Sequence, residues 1–320
     1  MAPDEFSLIT KQAPLFLGYI AHPSANRTSS EWEDQLPSLR HRASHFVLKK
    51  SGFFSRSYTE RAYGCTFRIP ILNGRKTYIS EPWLADLISL LFRLKEGGFI
   101  DVGVNLGQTM LKVAAADPSR EYLGFEPNPA CADYASSLAA ANSLPYTVIP
   151  AGVGVETEIL MLEMYRNEET DPSASLVANF RGKPLSRKPV VVLSFADVPT
   201  DFVPAKTSII KIDVEGGELP VLQALLNTIR IQRPFLVVEI LPAYTLENLE
   251  RVTRQRSIED MLRAQNYAIF RVRYGPKEEL IGIERIDEIG IQDNLAMSDY
   301  LLCPKEEAAR VLLALEKANA

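Results

Sequence analysis

The sequence predicts an α/β protein built on a doubly wound, mostly parallel sheet. Three observations predict it. Short apolar runs alternate with helical periodicity along most of the chain, the pattern of repeated strand–helix units. Several of these runs pass directly through a glycine turn or a cap into a helix. An acidic residue closes such runs, at Asp101, Glu126 and Asp213. In open parallel sheets the ligand lies across the carboxyl ends of the strands, so these acids are expected to share a crevice.

The first 79 residues are less regular and read as an N-terminal extension, a lid or a cap on the substrate side. Pro23, Pro37, Gly52 and Gly64 break them into short segments. All three histidines (His22, His41 and His45) fall here. His41 and His45 are four apart and share a face if helical, but no third ligand accompanies them, so surface histidines are expected rather than a metal site. From residue 80 the pattern becomes regular. Ser80, Glu81 and Pro82 read as a helix start with Ser80 as cap, and Leu84, Leu87, Ile88, Leu91 and Leu94 follow at helical spacing up to Gly97 and Gly98.

Phe99 to Gln108 is the organising stretch: a buried strand, a turn with Gly103 and Gly107, and the start of a helix that ends before Pro118. The turn reads Asp101-x-Gly103-x-Asn105-x-Gly107, with Asn105 where the dinucleotide fingerprint G-x-G-x-x-G has its second glycine. A carboxylate facing this turn suits a ligand with an amino group better than a diphosphate. The next strand, from Glu121, ends at Glu126, and Asn128 and Pro129 open a helix reaching Asn142. Glu126 lies 23 residues beyond Gly103, where an acidic residue accepts the two hydroxyls of an adenosine ribose.

Further strands are expected at 146–150, 158–165 and 190–193, with a polar loop over 166–175 of a length often reserved for function. Thr207 to Ile212 is a buried strand running into Asp213, Glu215, Gly216, Gly217 and Glu218, then a helix over 219–227. Three acids in six residues repel unless donors, cations or water separate them, which favours a site over a plain turn. Residues 233–241 form an apolar strand whose single carboxylate, Glu239, must be paired or lie at its open end. A helix over 257–265, a strand over 267–273, a mixed segment without clear period over 274–298, a strand over 299–304 and a terminal helix from 306 complete the chain.

The composition is that of a globular protein with one large core: 46% hydrophobic and 23% charged over 320 residues. A net charge of −5 argues against a sequence-independent nucleic-acid binder. Cys65, Cys131 and Cys303 are too sparse for a disulfide framework and fit a reducing compartment. The N-terminus lacks a signal peptide and no apolar run is long enough for a transmembrane segment, so a cytoplasmic protein is expected.

Four stretches together, Phe99–Gln108, Phe125–Asn128, Ile210–Glu218 and Val237–Ile240, resemble the FkbM-type S-adenosylmethionine-dependent methyltransferases over about residues 80–304. Val104 stands where that family usually has alanine. The resemblance implies a Rossmann-like, mostly parallel seven-stranded sheet over 80–304; the N-terminal extension over 1–79 and a C-terminal helix over 305–320 lie outside it. It implies S-adenosylmethionine as cofactor and O-methylation of a hydroxyl on a sugar, glycolipid or natural product. By position, Asp101, Gly103, Asn105 and Gly107 then surround the methionine part, with Gln108 also on the cofactor side. Glu126 holds the ribose with Asn128 nearby, and Gly152 borders the adenine. Asp213 and Glu215 lie where cofactor and acceptor meet.

No histidine follows residue 45, so the candidate general base is Asp213, Glu215 or Glu239, or a histidine of the extension. Asp213 and Glu239 could also hold a divalent cation, though no tight pair of oxygen ligands favours it. Two rivals remain: a nicotinamide-dependent oxidoreductase, weakened by the missing fingerprint, and a non-catalytic interaction protein that retains the fold.

Overall fold

The computed structural model describes residues 55–319, which lie in a unit beginning at Gly52. Residues 1–54, and with them His22, His41 and His45, lie outside the described residues. An antiparallel hairpin comes first, β1 (Ser55–Ala62) and β2 (Cys65–Leu72). Helix α1 (Pro82–Leu94) follows, then β3 (Gly98–Val102), α2 (Gln108–Ala116), β4 (Tyr122–Phe125), α3 (Pro129–Ala141) and β5 (Thr147–Ile149). Three strands come next: β6 (Gly152–Gly154), β7 (Glu158–Met164) and β8 (Ser186–Ser194). The second half holds β9 (Thr207–Ile212), α4 (Glu218–Ala224), α5 (Leu226–Gln232), β10 (Phe235–Glu239) and α6 (Leu249–Ala264). It closes with β11 (Tyr267–Tyr274), β12 (Leu280–Ile286), β13 (Asp299–Pro304) and α7 (Ala308–Asn319).

The central sheet has the order β12-β11-β13-β10-β9-β3-β4-β5. Strands β5, β4, β3, β9 and β10 pair in parallel, and β13 joins antiparallel between β10 and β11. Six of the eight strands therefore point one way, and β3 and β9 lie side by side within the parallel part. Strand residues alternate between two cores, as strands buried on both faces require. Phe99, Ile209, Phe235 and Leu301 face α1, α2, α3 and α7, whereas Ile100, Ile210, Leu236 and Leu302 face α4, α5 and α6.

Several local expectations change. The sheet has eight strands rather than seven: β12 pairs with β11 at the edge, inside the segment that showed no clear period. Its half-exposed edge position removes the apolar run by which a buried strand is recognised. Strands β6, β7 and β8 form a separate three-stranded sheet in the order β6-β8-β7. Glu81, not Ser80, occupies the cap of α1, with φ 50°, and its carboxylate turns to Lys112 Nζ at 2.7 Å. The helix after Asp213 is two short helices, α4 and α5, meeting at Leu225. Helix α6 begins eight residues earlier than its apolar spacing suggested, because the Asn248 side chain caps it by accepting from Arg251 N–H.

The hairpin β1–β2 falls within the stretch read as an extension, and it packs on α3. Ile69 and Phe67 join the first core, and the buried Tyr134 hydroxyl donates to the Pro70 carbonyl at 2.8 Å. All three cysteines are free thiols. Among the described residues no helix is long and apolar enough to cross a membrane.

Candidate active site

At the carboxyl ends of β3, β4, β9 and β10 lies a cleft of about 510 Å³. That is the size of a small-molecule site. Its floor is made by the turns after these strands. Its opposite wall is the inner face of the three-stranded sheet, with Val153, Leu160, Leu162 and Val192, continued by Leu176 from the loop after β7. Of the positions singled out in the sequence, Gly103, Asn105, Glu126, Asn128, Gly152, Asp213, Glu215 and Glu239 all line it.

Glu126 directly follows β4 and is 7% exposed. Its two oxygens accept the backbone N–H groups of Asn105 and Asn128, each at 2.8 Å. Asn105 takes φ 49° at the turn, a conformation asparagine tolerates well. Among the described residues no lysine or arginine pairs with this carboxylate, and burial pushes its pKa up to about 7 against the pull of the two N–H groups. Asn128 caps α3 by accepting from Ala130 N–H, while its Nδ2 donates to the Glu169 carbonyl at 2.7 Å. The loop after β7 is thereby fastened to the cleft. Inside that loop the buried Asp171 accepts the N–H groups of Tyr165, Arg166 and Ser173.

Asp101 does not line the cleft. It sits one position behind the turn and faces the α2 side, fully buried, with Oδ2 accepting the Tyr122 hydroxyl at 2.6 Å. Burial raises its pKa to about 6. Its Oδ1 and the Asn105 Oδ1 are buried with no hydrogen-bond partner among the described residues. Gly107 is the cap of α2 with φ 79°, packed beneath Leu138, and Gln108 opens the helix; neither lines the cleft.

The carboxylate after β9 has different company. Lys211, inside a fully buried strand, lies opposite Asp101 in the β3–β9 register, and its Nζ donates to Asp213 Oδ2 at 2.9 Å. Burial opposes the charge on Lys211, but Asp213 and Asp101 hold its pKa above the usual lysine range. Asp213 keeps 34% of its side chain open to the cleft. Burial there works against ionisation, but Lys211 and a hydrogen bond from Glu239 win, and the Asp213 pKa falls below the usual carboxylate range. The Asp213 charge, followed by burial, pushes Glu239 up to about 11. The pair therefore shares one proton and carries one negative charge at neutral pH. Asp299 stands opposite Glu239 in the β10–β13 register and is raised to about 7 by burial.

Two backbone features hold the turns together. A Cβ on Gly103 (φ 94°) would lie 1.8 Å from the Asp213 carbonyl oxygen, so only glycine lets the β3 and β9 turns approach this closely. Glu215 adopts φ 51° and pairs with Arg181 Nη2 at 2.5 Å, and the Ser175 hydroxyl donates to its carbonyl. Lys211, Tyr122, Asp299 and Arg181 were not singled out in the sequence. Lys211 alone carried a signal, as a lysine inside the run Ile209-Ile210-Lys211-Ile212. Among the described residues no group of three or more His, Cys, Asp or Glu side chains is placed to hold a metal ion.

A family model, the methyltransferase FkbM domain, matches residues 101–269. No curated protein is significantly similar in sequence. Among solved structures, methyltransferase FkbM from Methylobacillus flagellatus KT is 14% identical with a TM-score of 0.40, over 65% of this chain and 43% of that one. This chain thus spans less than half the length of that protein. The O-methyltransferase TomG from Streptomyces achromogenes, involved in tomaymycin synthesis and solved with SAM, is 14% identical with a TM-score of 0.40, over 71% of this chain and 81% of that one. An O-methyltransferase from Bacillus cereus solved with SAH is 11% identical with a TM-score of 0.41, over 86% and 96%.

Proposed function

Because this chain belongs to the FkbM methyltransferase family, we propose that it is an S-adenosylmethionine-dependent O-methyltransferase acting on a hydroxyl of a small-molecule or glycan acceptor. The observation that carries this reading is Glu126: a buried strand-end carboxylate, held by two backbone N–H groups, at the wall of a nucleoside-sized cleft. Each of its oxygens keeps a lone pair for a ribose hydroxyl. The residues present fit the cofactor. The orphaned Asn105 Oδ1 is an acceptor for its amino group, and the apolar wall of Val153, Leu162 and Leu176 suits an adenine ring beside Gly152. S-adenosylmethionine supplies a sulfonium methyl group with an excellent leaving group.

The chain's own residues then have two tasks. One is alignment of the acceptor oxygen, which can supply roughly 7–11 kcal/mol. The other is removal of the hydroxyl proton. Asp213, ionised and partly open to the cleft, accepts the hydrogen bond of the acceptor hydroxyl and takes its proton as the oxygen forms its third covalent bond, to the methyl carbon, while the S–CH3 bond breaks and leaves its electron pair on sulfur. At that stage the proton is strongly acidic, so a carboxylate of low pKa is a sufficient base. Lys211 and the protonated Glu239 keep the charge on Asp213 and fix its orientation. Glu215, paired with Arg181, is the outer acid of the group.

Calorimetric titration with S-adenosylhomocysteine and, separately, NAD tests the reading. Saturable binding of S-adenosylhomocysteine alone, weakened about tenfold or more in Glu126→Gln, is expected from the loss of charge-assisted hydrogen bonds. Binding of NAD in its place overturns it.

A further inference from the structure

The Asp213 end of the cleft is bordered by more positive charge than the acids beside it require. Phe180 packs its ring against Gly216, next to the cleft residues Glu215 and Gly217. Two guanidinium groups lie over that ring, and a third, Arg181, acts electrostatically on the first. Arg251 lies 4.3 Å from its centroid and Arg254 5.4 Å, and Arg181 follows it in the chain. Arg251 is held rigidly. It stacks between Phe180 and Tyr244, and it donates to the carbonyls of Pro242 and Phe180. Arg181 is engaged with Glu215, within electrostatic reach of Glu239. Arg254 has no hydrogen-bond or ion-pair partner among the described residues, only the aromatic ring beneath it.

Like charges this close repel, as the mutual influence of Arg251, Arg254 and Arg181 records. Among the described residues Glu215 is the one carboxylate in ion-pair contact with them. Glu218 lies nearby, but it is buried and turned to the Gly216 N–H, and burial raises its pKa to about 7. In a chain of net charge −5 this local excess is a place that attracts an anion. Planar guanidinium forks match oxyanions, and two aromatic rings keep Arg251 oriented for one.

We propose that the Arg181–Arg251–Arg254 cluster on Phe180 is the binding site for an anionic group, a phosphate or a carboxylate, on the methyl acceptor. This rests on the reading of the cleft as a methyl-transfer site. It narrows the acceptor class to hydroxyl compounds that carry an oxyanion: the anion sits on the arginine rim and the hydroxyl reaches inward to Asp213. Glu215 is then the gate, releasing Arg181 when the acceptor anion arrives.

The test titrates inorganic phosphate, glucose 6-phosphate, glucuronate and glucose into the full chain, with and without saturating S-adenosylhomocysteine, for the wild type and for Arg254→Gln. Saturable binding of the charged compounds is expected, at least tenfold tighter than glucose and about tenfold weaker in Arg254→Gln, which retains its affinity for S-adenosylhomocysteine. Preference between glucose 6-phosphate and glucuronate tells phosphate from carboxylate. Glucose binding as tightly as the charged compounds, no saturation by any of them, or equal anion binding by Arg254→Gln overturns the proposal. Failure of the wild type to bind S-adenosylhomocysteine strikes instead at the methyl-transfer reading, and the titrations without it still decide the anion site.

Discussion

Glu126 and Asp213 occupy equivalent places, each just beyond the end of a parallel strand beside β3, and both line one cleft. Their surroundings are opposite. Glu126 is satisfied by backbone N–H groups and pairs with no cationic side chain among the described residues, so burial raises its pKa to about 7. Asp213 has Lys211 at 2.9 Å and a proton-bearing Glu239 beside it, so its charge is retained below the ordinary carboxylate range. One topological position thus yields a hydrogen-bond acceptor poised near neutrality and a permanently charged group. The strand end supplies the location; the partner decides the chemistry.

Removing the partner breaks this contrast with the largest effect. Lys211→Met leaves Asp213 and Asp101 without their buried cation, and a loss of about 3–5 kcal/mol in unfolding free energy is expected by urea denaturation. Asp213→Asn keeps the shape and deletes the base: turnover on an accepted hydroxyl substrate falls about 10²-fold or more, with S-adenosylhomocysteine affinity within a factor of two. A raised KM with unchanged kcat would reassign Asp213 to uniform binding.

The Glu126 end is sharpened by pH. Because its raised pKa leaves Glu126 protonated below about pH 7, S-adenosylhomocysteine affinity should decline as pH drops below that value, by at most tenfold per unit. In Glu126→Gln the profile should be flat; a wild-type slope retained in that variant assigns the titration to another group. Stability runs the other way. Folded Glu126 binds its proton more tightly than the unfolded chain does, so its contribution is full below the unfolded pKa and is lost as pH rises through about 7. The smallest effect is expected from Asn128→Ala, about 1 kcal/mol for the lost α3 cap. Proteolysis of the loop after β7 should accelerate as well, since Asn128 Nδ2 no longer holds the Glu169 carbonyl.

The parallel core was legible because its strands are buried on both faces and write continuous apolar runs, and because glycines and caps mark each turn. The acids at the strand ends were legible for the same reason. What escaped was contact between distant segments. Nothing local to Asp101 shows that it turns to Tyr122 behind the site, whereas Glu126, 25 residues later, faces the cleft. Arg181 meets Glu215 across 34 residues of chain. Strand β12 lacked the apolar signature because an edge strand is half exposed, and the first two turns of α6 were hidden by their charged sequence, Leu249 to Arg256.

The measurement that bears most directly on this account is a crystal structure of the chain with S-adenosylhomocysteine. The account predicts the ribose hydroxyls on Glu126, the amino-acid tail at Asn105, and the sulfur turned toward Asp213 and Glu239. An adenosine bound away from Glu126, or a sulfur facing away from the Asp213–Glu239 pair, would contradict it.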